Sequence, residues 1–89
     1  MAEPLRTVIW EPEFEQDFAK VRAKARRVED FVDAAEWILS RDPCQGVQIP
    51  LTHTWILNSR PHTHRLRPVT LYYAFDDDEV HFLAVEFSR

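Results

Sequence analysis

Apolar residues recur with a helical period through the first half of the chain. Between positions 14 and 28 they are separated by alternating steps of four and three residues: Phe14, Phe18, Val21, Ala25 and Val28. This spacing forms one stripe and predicts an amphipathic helix. Pro12 favours its first turn, because that position does not need an N–H group.

A second apolar stripe follows without an intervening glycine or proline: Phe31, Val32, Ala35, Ile38 and Leu39. It ends at Asp42, because the residue before a proline avoids the helical conformation. One helix over both stripes would be about 45 Å long at ~1.5 Å per residue. A domain of this size has a radius of gyration of only ~12 Å. We therefore expect a bend near Arg26–Asp30 and an antiparallel helical hairpin.

The remaining apolar segments read as strands, because they are short and rich in β-branched and aromatic residues. The predicted strands are Leu5–Trp10, Thr52–Asn58, His62–Arg67, Thr70–Phe75 and Val80–Phe87. Val80–Phe87 is apolar on both faces, which favours a position inside the sheet.

The segments between the strands have the composition of loops and turns. Cys44–Leu51 is predicted to be a loop, and Asp76–Glu79 a polar turn. Pro68 marks a bulge or an edge, so His62–Arg67 and Thr70–Phe75 can also form one bent strand. The order predicts an α+β fold: a strand, a helical hairpin, then an antiparallel meander of three or four strands.

Composition narrows the class of protein. With 89 residues, 45% of them hydrophobic and 29% charged, the chain is expected to form one globular domain over residues 1–89. Cys44 is the only cysteine, so no internal disulfide can form. No signal peptide or apolar span of ~20 residues is evident, and we expect a cytoplasmic protein. The net charge of −4 argues against a general nucleic-acid-binding domain.

The candidate chemistry begins with arginines near the C-terminal strands. Arg60, Arg65 and Arg67 are candidates for contacting phosphate, because guanidinium offers a rigid fork of donors. The alternative is a solvated strand face that meets an acidic partner segment.

Basic residues also mark the end of the first helical stripe. Lys20, Lys24 and Arg27 share one side of that helix by their spacing and could contact nucleic acid. A solvated helix face is the alternative there.

Histidines offer two further possibilities. His62 and His64 have the spacing of a metal-binding pair, with His53 or His81 as a third ligand. No nearby cysteine or acid completes a tetrahedral set, so we predict no metal cofactor. His64 or His81 could instead act in general acid–base catalysis.

The chain resembles the RelE/ParE superfamily of toxins from bacterial type II toxin–antitoxin pairs. The resemblance spans nearly the whole chain and rests on Val8-Ile9-Trp10, Phe14-x-x-x-Phe18-x-x-Val21, Arg65-Leu66-Arg67, Leu71-Tyr72-Tyr73-Ala74-Phe75, the acidic turn and Val80-His81-Phe82-Leu83-Ala84-Val85. It implies a RelE/ParE-like domain whose partner is an antitoxin protein.

For the RelE branch, the resemblance implies an mRNA-cleaving endoribonuclease that needs the ribosome. Its catalytic residues would be Arg65, Arg67, His64 and Arg89, and no cofactor is expected. Two alternatives remain. The first is a non-catalytic protein on the same fold, either a gyrase-type inhibitor or a degenerate toxin neutralised by its antitoxin. The second is a small α+β domain unrelated to the toxins.

Overall fold

The computed structural model describes residues 5–60 and 67–88. It contains two helices, α1 (Pro12–Lys24) and α2 (Val28–Arg41), and a short 3-10 turn, Pro43–Gln45. Its strands are β1 (Thr7–Trp10), β2 (Val47–Gln48), β3 (Trp55–Asn58), β4 (Val69–Phe75) and β5 (Glu79–Phe87). The predicted α+β class is confirmed.

The five strands form one mixed sheet in the order β1-β5-β4-β3-β2. The three pairings among β2, β3, β4 and β5 are antiparallel, but β1 runs parallel to β5. Two parallel neighbouring strands need a long connection between them, and α1 and α2 form the first part of the connection from β1 to β5. The prediction that Val80–Phe87 lies inside the sheet is confirmed, because β5 is flanked by β1 and β4.

Two predicted boundaries were wrong. Val47–Gln48, within the predicted loop Cys44–Leu51, is a short edge strand paired with β3. β3 itself begins at Trp55 rather than Thr52, because the preceding residues form a tight turn. The predicted strand His62–Arg67 lies outside the described residues except for Arg67, which precedes β4.

The predicted break between the helices is present, slightly earlier than expected. α1 ends at Lys24 and α2 begins at Val28. Ala25 leaves the helical conformation at φ −147° while its N–H still donates to the Val21 carbonyl, which ends the first helix. Arg22 and Glu29 form an ion pair across the break.

The hydrophobic core lies between the helices and one face of the sheet. Phe14, Val21 and Val28 from the first predicted stripe are buried, and Phe14 packs edge-on against Phe82 of β5 at 5.3 Å between ring centroids. Val80 and Phe82 are buried while His81 between them is only half-buried, since successive strand residues point to opposite faces. At the start of β5 the face turned away from the core therefore carries Glu79 and His81.

Tyr73 of β4 connects the 3-10 turn to the core through hydrogen bonds of its hydroxyl. Its side chain is fully buried, and its hydroxyl donates to the Pro43 carbonyl at 2.6 Å while accepting from the Gly46 N–H at 3.0 Å. Burial raises the pKa of the Tyr73 phenol from 10.0 to about 12, because the charged phenolate would lose its hydration. This hydroxyl therefore holds together residues 30 positions apart.

The Tyr73 phenol should make folding sensitive to alkaline pH. Because its pKa is raised in the folded state, the neutral form stabilises the fold fully below about pH 10, and this contribution disappears as the pH rises through about 12. We expect Tyr73→Phe to be less stable near neutrality by about 1–3 kcal/mol, since two backbone groups lose their partner. Chemical unfolding of both proteins from neutral to alkaline pH should show a smaller alkaline decline in the variant. An equal decline in both would contradict the assignment.

Leu51 occupies the tip of the β2–β3 connection in a left-handed conformation. Its φ is 65°, and its side chain is completely exposed. The turn is closed by the Thr52 N–H, which donates to the Ile49 carbonyl at 3.2 Å. A side chain costs roughly 1–2 kcal/mol in this region of backbone space, and the exposed leucine has no packing that offsets the cost.

Leu51→Gly is therefore expected to stabilise the protein, by up to about 1 kcal/mol. The gain stays below the full strain because glycine also increases the entropy of the unfolded chain. Urea unfolding would measure the change. Leu51→Ala is the matched control, because alanine removes the exposed apolar surface but keeps the Cβ that causes the strain. A gain as large for alanine as for glycine would show that backbone strain is not the cause.

Candidate nucleic-acid interface

Three strand ends meet at one end of the sheet and position two of the predicted arginines. The end of β3 joins the start of β4 through the Ser59 N–H, which donates to the Val69 carbonyl at 3.0 Å. The Ser88 N–H donates to the Pro68 carbonyl at 2.8 Å, so the residue that follows β5 lies next to the residue that precedes β4. Ser59 is fully buried, and its hydroxyl accepts from the Val69 N–H at 2.9 Å. These bonds make a rigid base for Arg60 and Arg67.

Arg67 stacks on an aromatic ring at this end of the sheet. Its guanidinium carbon lies 4.1 Å from the centroid of the Phe87 ring, within the range of a cation–π contact. Arg67 is otherwise exposed, so its donors can face solvent or a ligand. Arg60 is also exposed, and its backbone N–H donates to the Asn58 side chain at 2.9 Å.

A shallow groove of about 210 Å³ runs between α1 and the end of β5. Lys20 and Lys24 lie along its helical side, and Phe87 forms part of its strand side. Phe87 therefore adjoins both lysines and the stacked Arg67. Arg67 is not itself a lining residue of the groove, and Phe87 is the residue that the lysine groove and the stacked arginine share.

Two carboxylates share the groove with these cations. Glu86 accepts a hydrogen bond from the Tyr72 hydroxyl at 2.6 Å, and Asp17 accepts from the Val85 N–H at 3.4 Å. Both acids also line the groove. They reduce its positive potential, so a phosphate would depend on the exposed ends of the lysines and on Arg67.

The other predicted residues of this site do not join the groove or cannot be placed. Arg27 is exposed at the start of α2 and is not among the groove's lining residues. His64, Arg65 and Arg89 lie outside the described residues. The predicted catalytic set therefore stays a prediction, except that Arg67 has a defined setting.

Sequence reasoning missed Phe87 and Glu86 as members of this site. The last strand is apolar on both faces, which indicated only a position inside the sheet, and Phe87 is partly buried against the core. Its second role depends on Arg67, which lies 20 positions earlier in the chain and reaches it only when Val69 pairs with Phe87. The signal available in the sequence was an aromatic residue at the end of a strand close to basic residues.

His81, a predicted acid–base candidate, lies far from this groove. It is six residues before Phe87 on the same strand, a separation of about 20 Å at ~3.3 Å per residue. Its Nδ1 is 2.8 Å from Glu11 Oε1 and its Nε2 is 3.3 Å from Glu79 Oε1. The Glu11 hydrogen bond, more than the charge of Glu79, raises the pKa of His81 above its ordinary value. His81 therefore belongs to a different cluster and cannot serve Arg67 in catalysis.

Neither α1 nor α2 is long and apolar enough to cross a lipid bilayer, and the same holds across the rest of the described chain. Comparisons with protein-family models, with curated proteins and with solved structures found no match to this chain.

Proposed function

We propose that this protein is the toxin of a type II toxin–antitoxin pair, of the RelE kind, and that it blocks translation by cleaving mRNA on the ribosome. The observation that carries the proposal is that Phe87 both lines the groove of Lys20 and Lys24 and stacks against the guanidinium of Arg67. The order of elements, with a strand and two helices before four sheet strands, also agrees with the resemblance seen in the sequence. The cognate antitoxin is the proposed protein partner.

Each part of the groove suits one part of an RNA strand. The guanidinium of Arg67 can donate two parallel hydrogen bonds to a phosphate, which a lysine cannot do. Lys20 and Lys24 can neutralise neighbouring phosphates along the strand. Phe87 is partly exposed and lines the groove, and unpaired bases stack on aromatic side chains. Single-stranded RNA therefore fits this groove better than duplex.

In this proposal Arg67 stabilises charge as the bond breaks. The 2′-hydroxyl next to the scissile phosphate attacks phosphorus, and the 5′ oxygen of the following nucleotide leaves. Negative charge grows on the phosphate oxygens during this step, and a fixed guanidinium favours that state over the starting one. Arg65, His64 and Arg89 are proposed to complete the site by orienting the phosphate and moving protons.

Cleavage of a defined mRNA with and without purified ribosomes tests the proposal. We expect new 5′ ends within the message only when ribosomes, mRNA and the protein are all present. The same preparation should lose activity when the cognate antitoxin, expressed and purified separately, is added. An intact message at high protein concentration, with the protein folded by circular dichroism, would reject the endoribonuclease.

A second function is favoured by one observation, the presence of Asp17 and Glu86 in the groove. A non-catalytic protein on this fold, acting as a gyrase-type inhibitor or only binding an antitoxin, needs no strongly positive site. Growth arrest on expression without mRNA cleavage would support an inhibitor of another target. Absence of any growth effect, together with antitoxin binding, would support a degenerate toxin.

A further inference from the structure

A second cluster of ionisable side chains lies at the opposite end of β5 from the groove. Asp76, Glu79 and His81 place one ligand atom each within 4.8 Å of the others. Asp76 belongs to the β4–β5 turn, and Glu79 and His81 are alternate residues of β5 that share a face. Nothing in the proposed reaction uses these residues.

The imidazole distinguishes this cluster from an ordinary acidic turn. Glu11, at the junction of β1 and α1, lies with Oε1 2.8 Å from His81 Nδ1. A carboxylate there favours a hydrogen on Nδ1, so Nε2 is the ring nitrogen at which an ion could bind. Nε2 points toward Glu79, at 3.3 Å from its Oε1. Histidine ligands of metals are commonly held in this way, with a carboxylate on the ring nitrogen that does not bind the metal.

The ligand atoms of the cluster lie close enough together to share one metal ion. Around a tetrahedral zinc ion, ligand atoms at 2.0–2.2 Å from the metal are separated by roughly 3.3–3.5 Å. The Nε2–Glu79 separation of 3.3 Å already matches, and since no separation exceeds 4.8 Å, none needs to close by more than about 1.5 Å. Asp76 Oδ1 accepts the N–H groups of Asp78 and Glu79, both at 2.8 Å, so Oδ2 is the oxygen that can turn to an ion.

Charge also favours a divalent cation. Glu11, Asp76 and Glu79 bring three carboxylates to one imidazole, and the positive charges that act on Asp76 are those of His81 and Arg6. Even when both of these groups are charged, three carboxylates leave one negative charge without compensation. The Arg6 guanidinium donates to the backbone carbonyl of Asp76 at 2.8 Å, so it does not occupy the carboxylate.

We infer that Asp76, Glu79 and His81 form a binding site for a divalent transition-metal ion, with Glu11 as the positioning residue for the imidazole. Zinc is the ion that the mixture of one imidazole and two carboxylates suits best, with water as the fourth ligand. The ion would link the β4–β5 turn to β5, because Asp76 lies in the turn and Glu79 and His81 lie in β5, while Glu11 at the end of β1 holds the imidazole. The inference is independent of the proposed RNA cleavage.

Calorimetric titration of the full chain with zinc, after removal of metals by a chelator, tests this site. We expect saturable binding of one ion per chain, and cobalt should give the visible absorption of a tetrahedral complex. Glu79→Gln and His81→Gln should each weaken binding by at least about tenfold, and Glu11→Gln by about 10–100-fold. Unfolding of each variant in chelator verifies that it is folded before titration.

Asp77→Asn is the matched control. Asp77 lies in the same turn and is exposed, but it is not among the three ligands, so its loss removes one charge and no coordinating atom. We expect zinc binding to change less than threefold, within what one screened surface charge can do. Equal weakening by Asp77→Asn and Glu79→Gln would overturn the site in favour of diffuse attraction. Failure of the wild-type chain to bind zinc saturably would also overturn it, whatever the outcome of the RNA assays.

Discussion

Replacing Gly46 with alanine is expected to destabilise the protein by about 3 kcal/mol, the sum of a strained insertion and a weakened hydrogen bond. A Cβ at this position would meet the Ile56 carbonyl oxygen and the Tyr73 hydroxyl well inside normal contact. The φ of Gly46 is −85°, which any residue can adopt, so space rather than backbone freedom requires glycine. To make room, the segment must move away from β3 and from Tyr73.

That movement would break two features at once. The Gly46 N–H would lose the Tyr73 hydroxyl, and the pairing of Val47 with Ile56 in the edge strand would open. Since 1 kcal/mol shifts the melting temperature of a domain this size by about 4–8 °C, we expect a decrease of more than about 10 °C. Thermal unfolding followed by circular dichroism would measure it.

Two comparisons show whether the Ile56 backbone is the obstacle. Val47→Ala trims the exposed neighbouring side chain and should change stability by about 0.5 kcal/mol or less. Adding Tyr73→Phe to Gly46→Ala should not restore stability, because a main-chain oxygen cannot be trimmed. Recovery in the double variant would mean that the tyrosine hydroxyl was the obstacle.

Replacing Arg67 with alanine is expected to lower ribosome-dependent mRNA cleavage by about 100-fold or more, the usual loss when one donor to a transition-state oxyanion is removed. The guanidinium stands at the ring of Phe87 beside the groove, where no other described arginine stacks on that ring. Arg67→Lys should restore little of the rate, because lysine keeps the charge but not the planar fork. Rates of appearance of cleaved message would measure both variants.

Arg41 supplies a closely matched control. Its guanidinium carbon lies 3.9 Å from the centroid of Trp37 on α2, so it is also an exposed, stacked arginine. It lies outside the groove, and Arg41→Ala should leave cleavage within about twofold while costing a similar small amount of stability. An equal loss of cleavage in both variants would mean that net charge, rather than the position of Arg67, matters.

Much of the architecture followed from local patterns. Phe14, Val21 and Val28 were predicted to face the core from their spacing, and they are buried because a helix turns every 3.6 residues. β5 was placed inside the sheet because it is apolar on both faces. The edge strand β2 was missed because two residues between a glycine and a proline carry no periodicity.

The candidate site was only partly predictable. Lys20 and Lys24 were assigned to one helix face, and Arg67 to a strand, without a reason to join them. Their common neighbour is Phe87, and this depends on the register in which β4 pairs with β5. A shift of that register by one residue would turn Phe87 to the other face of the sheet. Register is a property of the packed sheet, and the local pattern of one strand does not determine it.

The two helices, their break and the interior strand were predictable, because these features depend on residues close together in the chain. The parallel pairing of β1 with β5, which brings Glu11 against His81 across 70 positions, was not predictable from any local pattern. The same is true of the contact between Arg67 and Phe87. Contacts between residues so far apart in the sequence depend on where the chain rejoins the sheet after the helices and on which strands then pair. Packing of the whole core determines both.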